Sequence, residues 1–202
     1  MTGISGYLCV CLVAYVLGSI PNGLLFGKLI WHIDLREYGS HNIGATNAWR
    51  TLGKGPGTFI FLLDFAKGAV SVALAGLLAG TPLSMVLAGF LAIVGHSCSL
   101  FMHFHGGKGV ATGLGVIAML MPQVTVIVFV VWLIIVGITR YVSLGSCVAA
   151  ALVPILAYFF AAPTEYLVFG LIAALLIIIR HHANIVRLLN GTENKIKAGH
   201  HE

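Results

Sequence analysis

The sequence predicts an all-α polytopic membrane protein of seven transmembrane helices, N-terminus outside and C-terminus inside. Composition is the first reason: of 202 residues, 59% are hydrophobic and 8% charged, far from the balance of a soluble domain. The second is that apolar runs approach the ~20 residues a span requires, again and again. The third is that the cations fall between those runs and sort to one side. The 25 glycines suit helices whose backbones approach closely in lipid.

The first run covers residues 5 to 27. No basic region precedes it and the first cation is Lys28, so it reads as a retained span rather than a cleaved signal peptide. Runs at 57 to 79, 83 to 103 and 143 to 161 are of full length, and 165 to 179 is short but free of charge. The stretch from 109 to 139 reads either as one long helix or as two short ones broken at Met121-Pro122-Gln123. The positive-inside rule decides. With two helices, Lys28, Arg36, Arg50, Lys54, Lys108, Arg140, Arg180, Arg187, Lys195 and Lys197 share one face; with one helix the bias collapses. The short helices then need a locally thinned bilayer or a turn below the outer surface. A single membrane domain over 1–202 is expected.

The net charge of +5 is explained by topology, because the cations are not massed on one helix or tail as nucleic-acid binding would require. Cys9, Cys11, Cys98 and Cys147 show no C-x-x-C pair and no zinc-ligand spacing, and read as small core residues. There is no Walker-type phosphate loop and no G-x-S-x-G elbow. The six acidic residues are scattered, which disfavours a carboxylate metal site. No metal or cofactor is expected; catalysis would rest on cations, backbone dipoles, hydroxyls, amides and histidine.

Three polar segments share the expected cytoplasmic face: Tyr38 to Arg50, His103 to Thr112, and a split third, Arg140 to Ser146 with Arg180 to Glu193. Gly106, Gly107 and Gly109 around Lys108 suit a backbone that offers N–H groups to an anion at a helix start. Gly44, Ala45, Thr46 and Asn47 offer a second such cradle. Each is an ordinary tight turn if taken alone; together with Arg50, Lys108, Arg140 and Arg180 they favour a site for one or two phosphorylated molecules. His181, with Asn184 at i+3, is either an interfacial anchor or a substrate contact. His96, His103 and His105 read as flanking the third span. Asp64 and Lys67, an i, i+3 pair inside an apolar span, read most simply as a structural ion pair; a relay would need further polar residues from other spans.

Ser40-x-Asn42-x-Gly44-Ala-Thr-Asn47-x-x-Arg50, Gly106-Gly-Lys-Gly-Val-Ala-Thr112, and Arg140-Tyr-Val-Ser-Leu-Gly-Ser146 with Arg180-His-x-x-Asn-Ile-x-Arg187-Leu-Leu-x-Gly-x-Glu193 resemble, in order, the bacterial acyl-phosphate:glycerol-3-phosphate acyltransferases, the PlsY family. The resemblance implies transfer of a fatty acyl group from acyl phosphate to the 1-hydroxyl of sn-glycerol 3-phosphate, giving lysophosphatidic acid and phosphate. It implies a multi-pass enzyme of the bacterial inner membrane with its site on the cytoplasmic face. Its partners would be these substrates, membrane lipid and an upstream enzyme that makes acyl phosphate. Carried over, Lys108, Arg50, His181 and Ser146 are the catalytic candidates. Ser40, Asn42, Gly44, Thr46, Asn47, Gly106, Gly107, Gly109, Ser143 and Asn184 are the substrate-binding ones. Two departures stand out: His41 replaces the family's usual glycine, and His105 its usual lysine. The rival reading is a small transporter or channel for an anionic metabolite, against which stand the one-sided polar segments and the lack of an internal repeat.

Overall fold

The computed structural model describes residues 3–196 and shows ten α-helices among them. The chain divides into two compact units, Met1–Leu120 and Met121–Glu202. Lys197, counted above among the cytoplasmic cations, lies outside the described residues.

The first unit holds α1 (Ile4–Ser19), α2 (Asn22–Trp31), α3 (Ala45–Leu52), α4 (Lys54–Leu78), α5 (Pro82–Ser97) and α6 (Val110–Leu120). The first apolar run is not one straight helix. Pro21 lacks an N–H and disfavours helix at the residue before it, so α1 and α2 meet at a 41° bend. The run expected to reach residue 103 ends at Ser97; a short 3-10 turn, Leu100–Met102, follows. Thr81 and Ser84 form a capping box that starts α5, with Pro82 at its first position.

Small residues set the spacing of these helices. A Cβ on Gly18 would lie 2.2 Å from the Ala92 carbonyl, and one on Gly95 2.4 Å from that of Tyr15, so α1 and α5 touch backbone to backbone. The same holds for α4 and α6, through Gly68 against Thr112 and Gly115 against Phe65. In lipid, where apolar surface has nothing to gain from leaving water, such dispersion contact is the main force joining helices. Val10, Ala14, Ala75 and Ala88 form a buried cluster among α1, α4 and α5. Leu35, Ala48 and Ile60 form another, which seats α3 on α4.

The second unit holds α7 (Pro122–Thr139), α8 (Val142–Phe159), α9 (Thr164–Arg180) and α10 (His182–Leu189). The break at Met121-Pro122 is therefore real, and 109 to 139 is two helices. α8 packs between α7 and α9: Gly145 lies against Trp132 and Val136 of α7, and Gly170 of α9 against Val153 and Pro154 of α8. α9 and α10 bend by 60° at His181.

Every apolar run picked out in the sequence contains an α-helix, though 5 to 27 is broken at Pro21 and 83 to 103 leaves the helix after Ser97. α4, α7 and α8 are long and apolar enough to cross a membrane, and the two bent pairs bring that number to five. α5 and α6, of 16 and 11 residues, are shorter than an ordinary span. Leu62, Leu77, Ile138, Tyr158, Leu171, Leu175 and Ile179 present exposed apolar surface of the kind lipid covers. The cysteines depart from the sequence expectation: all four are free, Cys9 is exposed, and the other three are partly covered rather than buried in the core.

Candidate active site

In the first unit, the polar segment after α2 is a loop organised by one amide. Asn47 of α3 is 1% exposed. Its Nδ2 donates to the carbonyls of Leu35, Tyr38 and Asn42 at 2.9, 3.0 and 2.9 Å, and its Oδ1 accepts from the Ser40 N–H at 2.8 Å. Asn42 Oδ1 accepts from the Gly44 N–H at 2.9 Å. These two asparagines shape the loop with their amides. The first-turn N–H groups of Ala45 and Thr46 have no acceptor within α3, which is what an anion cradle at a helix start requires. Arg50 stands partly buried on the last turn of the same helix. The loop is pinned at its other end by Asp34, which accepts from Arg36 and pairs with Lys28 at 2.9 Å. The Arg36 hydrogen bond, against the opposing effect of burial and aided by Lys28, holds the Asp34 carboxyl well below the usual carboxylate range.

His41 has φ +56°, in the left-handed region that glycine adopts most readily. Histidine is tolerated because its Nδ1 donates to the Arg36 carbonyl at 2.8 Å. His105 is exposed, and its Nδ1 donates to the His103 carbonyl at 2.8 Å.

The Gly106–Gly109 loop lies flat on the end of α5. Gly107 N–H donates to the His96 carbonyl at 3.0 Å. A Cβ on Gly106 would meet that carbonyl at 2.2 Å, one on Gly107 the His96 Nε2 at 2.1 Å, and one on Gly109 Ile93 Cγ2 at 2.8 Å. No side chain fits at the three positions, so Lys108 alone carries one. The Gly109 carbonyl accepts from Gly113, making Gly109 the last residue before α6 and aiming the N-terminal dipole of α6 back toward the loop.

Below this loop sits a buried polar cluster. Asp64 Oδ1 accepts from Lys67 Nζ at 3.1 Å and Asn22 Nδ2 at 3.0 Å, with His96 Nδ1 at 3.7 Å. Lys67 Nζ also donates to the Ile20 carbonyl at 2.8 Å, one of the groups freed by the break at Pro21. Asp64 and Lys67 thus form an i, i+3 ion pair, and the cluster also gathers polar groups from two other apolar runs, the condition set above for a relay. His96, read in the sequence as a flanking residue, is 5% exposed and central.

In the second unit the predicted residues converge on one that was not named as a site residue, Glu193. Its Oε1 accepts from Ser143 Oγ at 2.9 Å and from Asn184 Nδ2 at 2.7 Å; its Oε2 accepts from Arg187 Nε at 2.8 Å. Burial raises this carboxyl, and the hydrogen bonds from Asn184, Arg187 and Ser143 outweigh it, so the net shift is downward. The segment bearing Glu193 is tied back by Ile196 N–H to the Arg140 carbonyl at 2.8 Å and by Lys195 over the Tyr141 ring. The G-x-E that closes the last polar segment was its signal in the sequence.

His181 is 3% exposed at the bend between α9 and α10. Its Nδ1 lies 2.8 Å from the Ile177 carbonyl, which can only accept, so Nδ1 carries the proton and Nε2 is the basic nitrogen of the neutral ring. Ser146, a catalytic candidate in the sequence, is turned inward. Its Oγ donates to the Val142 carbonyl at 2.8 Å and accepts from Trp132 Nε1 at 3.3 Å. Arg140 and Arg180 are exposed.

The family model described as glycerol-3-phosphate acyltransferase matches residues 8–191, across both units. A glycerol-3-phosphate acyltransferase of Carboxydothermus hydrogenoformans is 46% identical over 92% of this chain and 94% of its own length. One of Fusobacterium nucleatum is 40% identical over 95% and 98%. Two crystal structures of PlsY, an integral membrane glycerol 3-phosphate acyltransferase, are also similar. The glycerol 3-phosphate form has a TM-score of 0.90 at 40% identity, covering 95% of this chain and 96% of that one. The lysophosphatidic acid form has 0.87 at 38%, covering 94% of each. With the motifs in order, the fold shared and both units matched, this chain belongs to the glycerol-3-phosphate acyltransferase family, in its membrane-embedded PlsY branch.

Proposed function

We propose that the protein transfers a fatty acyl group from acyl phosphate to the 1-hydroxyl of sn-glycerol 3-phosphate, releasing lysophosphatidic acid and inorganic phosphate. It does so as a seven-span protein, N-terminus out, with its chemistry on the cytoplasmic face of a bacterial inner membrane. The observation that carries this reading is the Gly106–Gly109 loop, which presents Lys108 and bare backbone at the start of α6.

The chemistry requires little more than position and charge. The substrate hydroxyl attacks the acyl carbonyl carbon, the bond from that carbon to the phosphate oxygen breaks, and phosphate leaves with the electron pair. Phosphate is a good leaving group, so no acyl-enzyme is required. In the first unit, Lys108 and Arg50, with the N–H groups of the Gly106–Gly109 and Gly44–Thr46 segments, take the roles of phosphate ligands. Ser40, Asn42, Thr46 and Asn47 support that cradle, the two asparagines by holding its backbone. In the second unit, Ser143 and Asn184, fixed by Glu193, orient the glycerol moiety. The His181 Nε2, or a phosphate oxygen of the substrate itself, receives the hydroxyl proton. Ser146 acts by fixing α8 against Trp132 rather than by touching substrate.

The test is release of inorganic phosphate by purified protein given palmitoyl phosphate, with and without glycerol 3-phosphate, in the absence of metal and coenzyme A. Release that depends on glycerol 3-phosphate, with lysophosphatidic acid formed, is the expected result. A folded protein without turnover sinks the proposal and makes anion flux in liposomes the next measurement.

A further inference from the structure

The buried cluster under the glycine loop is larger than an ion pair needs to be. Asp64 and Lys67 neutralise each other, and Asn22 and the Ile20 carbonyl complete their hydrogen bonding. His96 is not required for that balance, yet it is placed between the cluster and the loop. One ring nitrogen, Nδ1, faces Asp64 at 3.7 Å. The other, Nε2, lies against Gly107, 2.1 Å from where a Cβ would sit, while the His96 carbonyl holds the Gly107 N–H. The residue next in the chain is Lys108. A buried imidazole that faces a carboxylate across 3.7 Å and lies against glycine backbone on its other side sets the height of that backbone, because none of the three glycines has a side chain with which to pack.

Resting on the acyltransferase reading above, we propose that His96, oriented by Asp64, is a positioning residue for the phosphate-binding loop. It acts through the Gly107 backbone on Lys108 and so governs affinity for a phosphorylated substrate. The charged pair inside the membrane then has a use beyond joining α2 to α4: it keeps the carboxylate that orients the ring. This role is distinct from that of Lys108, since His96 is buried beneath the loop and has no part in the proton transfer assigned to His181.

The two ring nitrogens can be tested separately. Glutamine places its amide nitrogen near the position of Nε2, and asparagine places its own near that of Nδ1; phenylalanine fills the ring's volume with neither. The expected result is that His96→Phe and His96→Asn raise KM for at least one phosphate substrate tenfold or more, with kcat changed less than threefold and an unfolding midpoint close to wild type. His96→Gln, which retains the loop-facing nitrogen, stays within threefold of wild-type KM. Asp64→Asn preserves shape, removes the charge facing Nδ1, and raises KM in the same substrate as His96→Phe.

A folded His96→Phe with wild-type KM overturns the proposal, as does a fall in kcat alone. Failure of all three His96 variants to yield folded protein also overturns it, because His96 is then a folding residue. The acyltransferase reading fails independently, by absence of glycerol 3-phosphate-dependent phosphate release in the unaltered protein.

Discussion

Replacing Glu193 by alanine removes the one acceptor shared by Ser143 and Asn184, and leaves both donors buried without it. A buried donor that loses its partner costs about 1–2 kcal/mol, so the two together cost about 2–4 kcal/mol. The Arg187 contact adds at most about 1 kcal/mol, because that side chain is 40% exposed and water screens it. The sum, about 2–5 kcal/mol, is a large share of the stability of an ordinary domain. Glu193→Gln retains an acceptor oxygen for Ser143 and Asn184 but loses the charge and the Arg187 hydrogen bond, because its amide nitrogen cannot accept, at about 1–2 kcal/mol. The assay is thermal unfolding of the detergent-solubilised protein together with phosphate release. Alanine is expected to lower the midpoint by many degrees and to abolish turnover, with glutamine in between. The pH dependence has a definite sign. The folded carboxyl titrates below its ordinary range, so its stabilisation is present above the unfolded value and is lost as pH falls through the folded one. Glu193→Gln lacks that acid-sensitive component. An alanine variant as stable as wild type, or glutamine as damaging as alanine, refutes the reasoning.

Other substitutions test the rest of the structure. His41→Gly relieves a left-handed residue at the loss of one exposed hydrogen bond, and is expected to stabilise by up to about 1 kcal/mol, read as a raised unfolding midpoint. Lys108→Ala and Arg50→Ala are expected to abolish phosphate release with the fold intact; normal turnover in either removes the cradle. His181→Ala is expected to reduce kcat strongly, and near-wild-type turnover at saturating substrate assigns proton removal to the substrate. Gly115→Leu forces a side chain where even a Cβ meets the Phe65 carbonyl at 2.0 Å. It should separate α4 from α6 and cost several kcal/mol, about 3 or more, visible as loss of folded protein during purification.

Local information was enough for some features. Apolar run length and the Met121-Pro122 interruption located the helices, since in lipid a chain must satisfy its own backbone. Pro21 carries the same signal as Pro122, but it lies inside a run of the length of one span, so its bend emerges only in the structure. The glycine and asparagine motifs marked the polar segments, because left-handed turns and close backbone approaches demand those residue types.

What the sequence by itself determined is the membrane class, the approximate position of most helices and where the polar segments lie between them, all consequences of composition and spacing along the chain. Only the tertiary structure decided what each polar atom is used for. Asn47 is consumed by its own loop, Ser146 is turned toward Trp132, Glu193 gathers Ser143, Asn184 and Arg187, and His96 lies under Gly107. These pairings join residues up to 50 positions apart, as Ser143 and Glu193 show, and depend on which faces of helices meet. That is set by backbone contacts of small residues such as Gly18 against Ala92, a property of pairs of helices that no single segment contains.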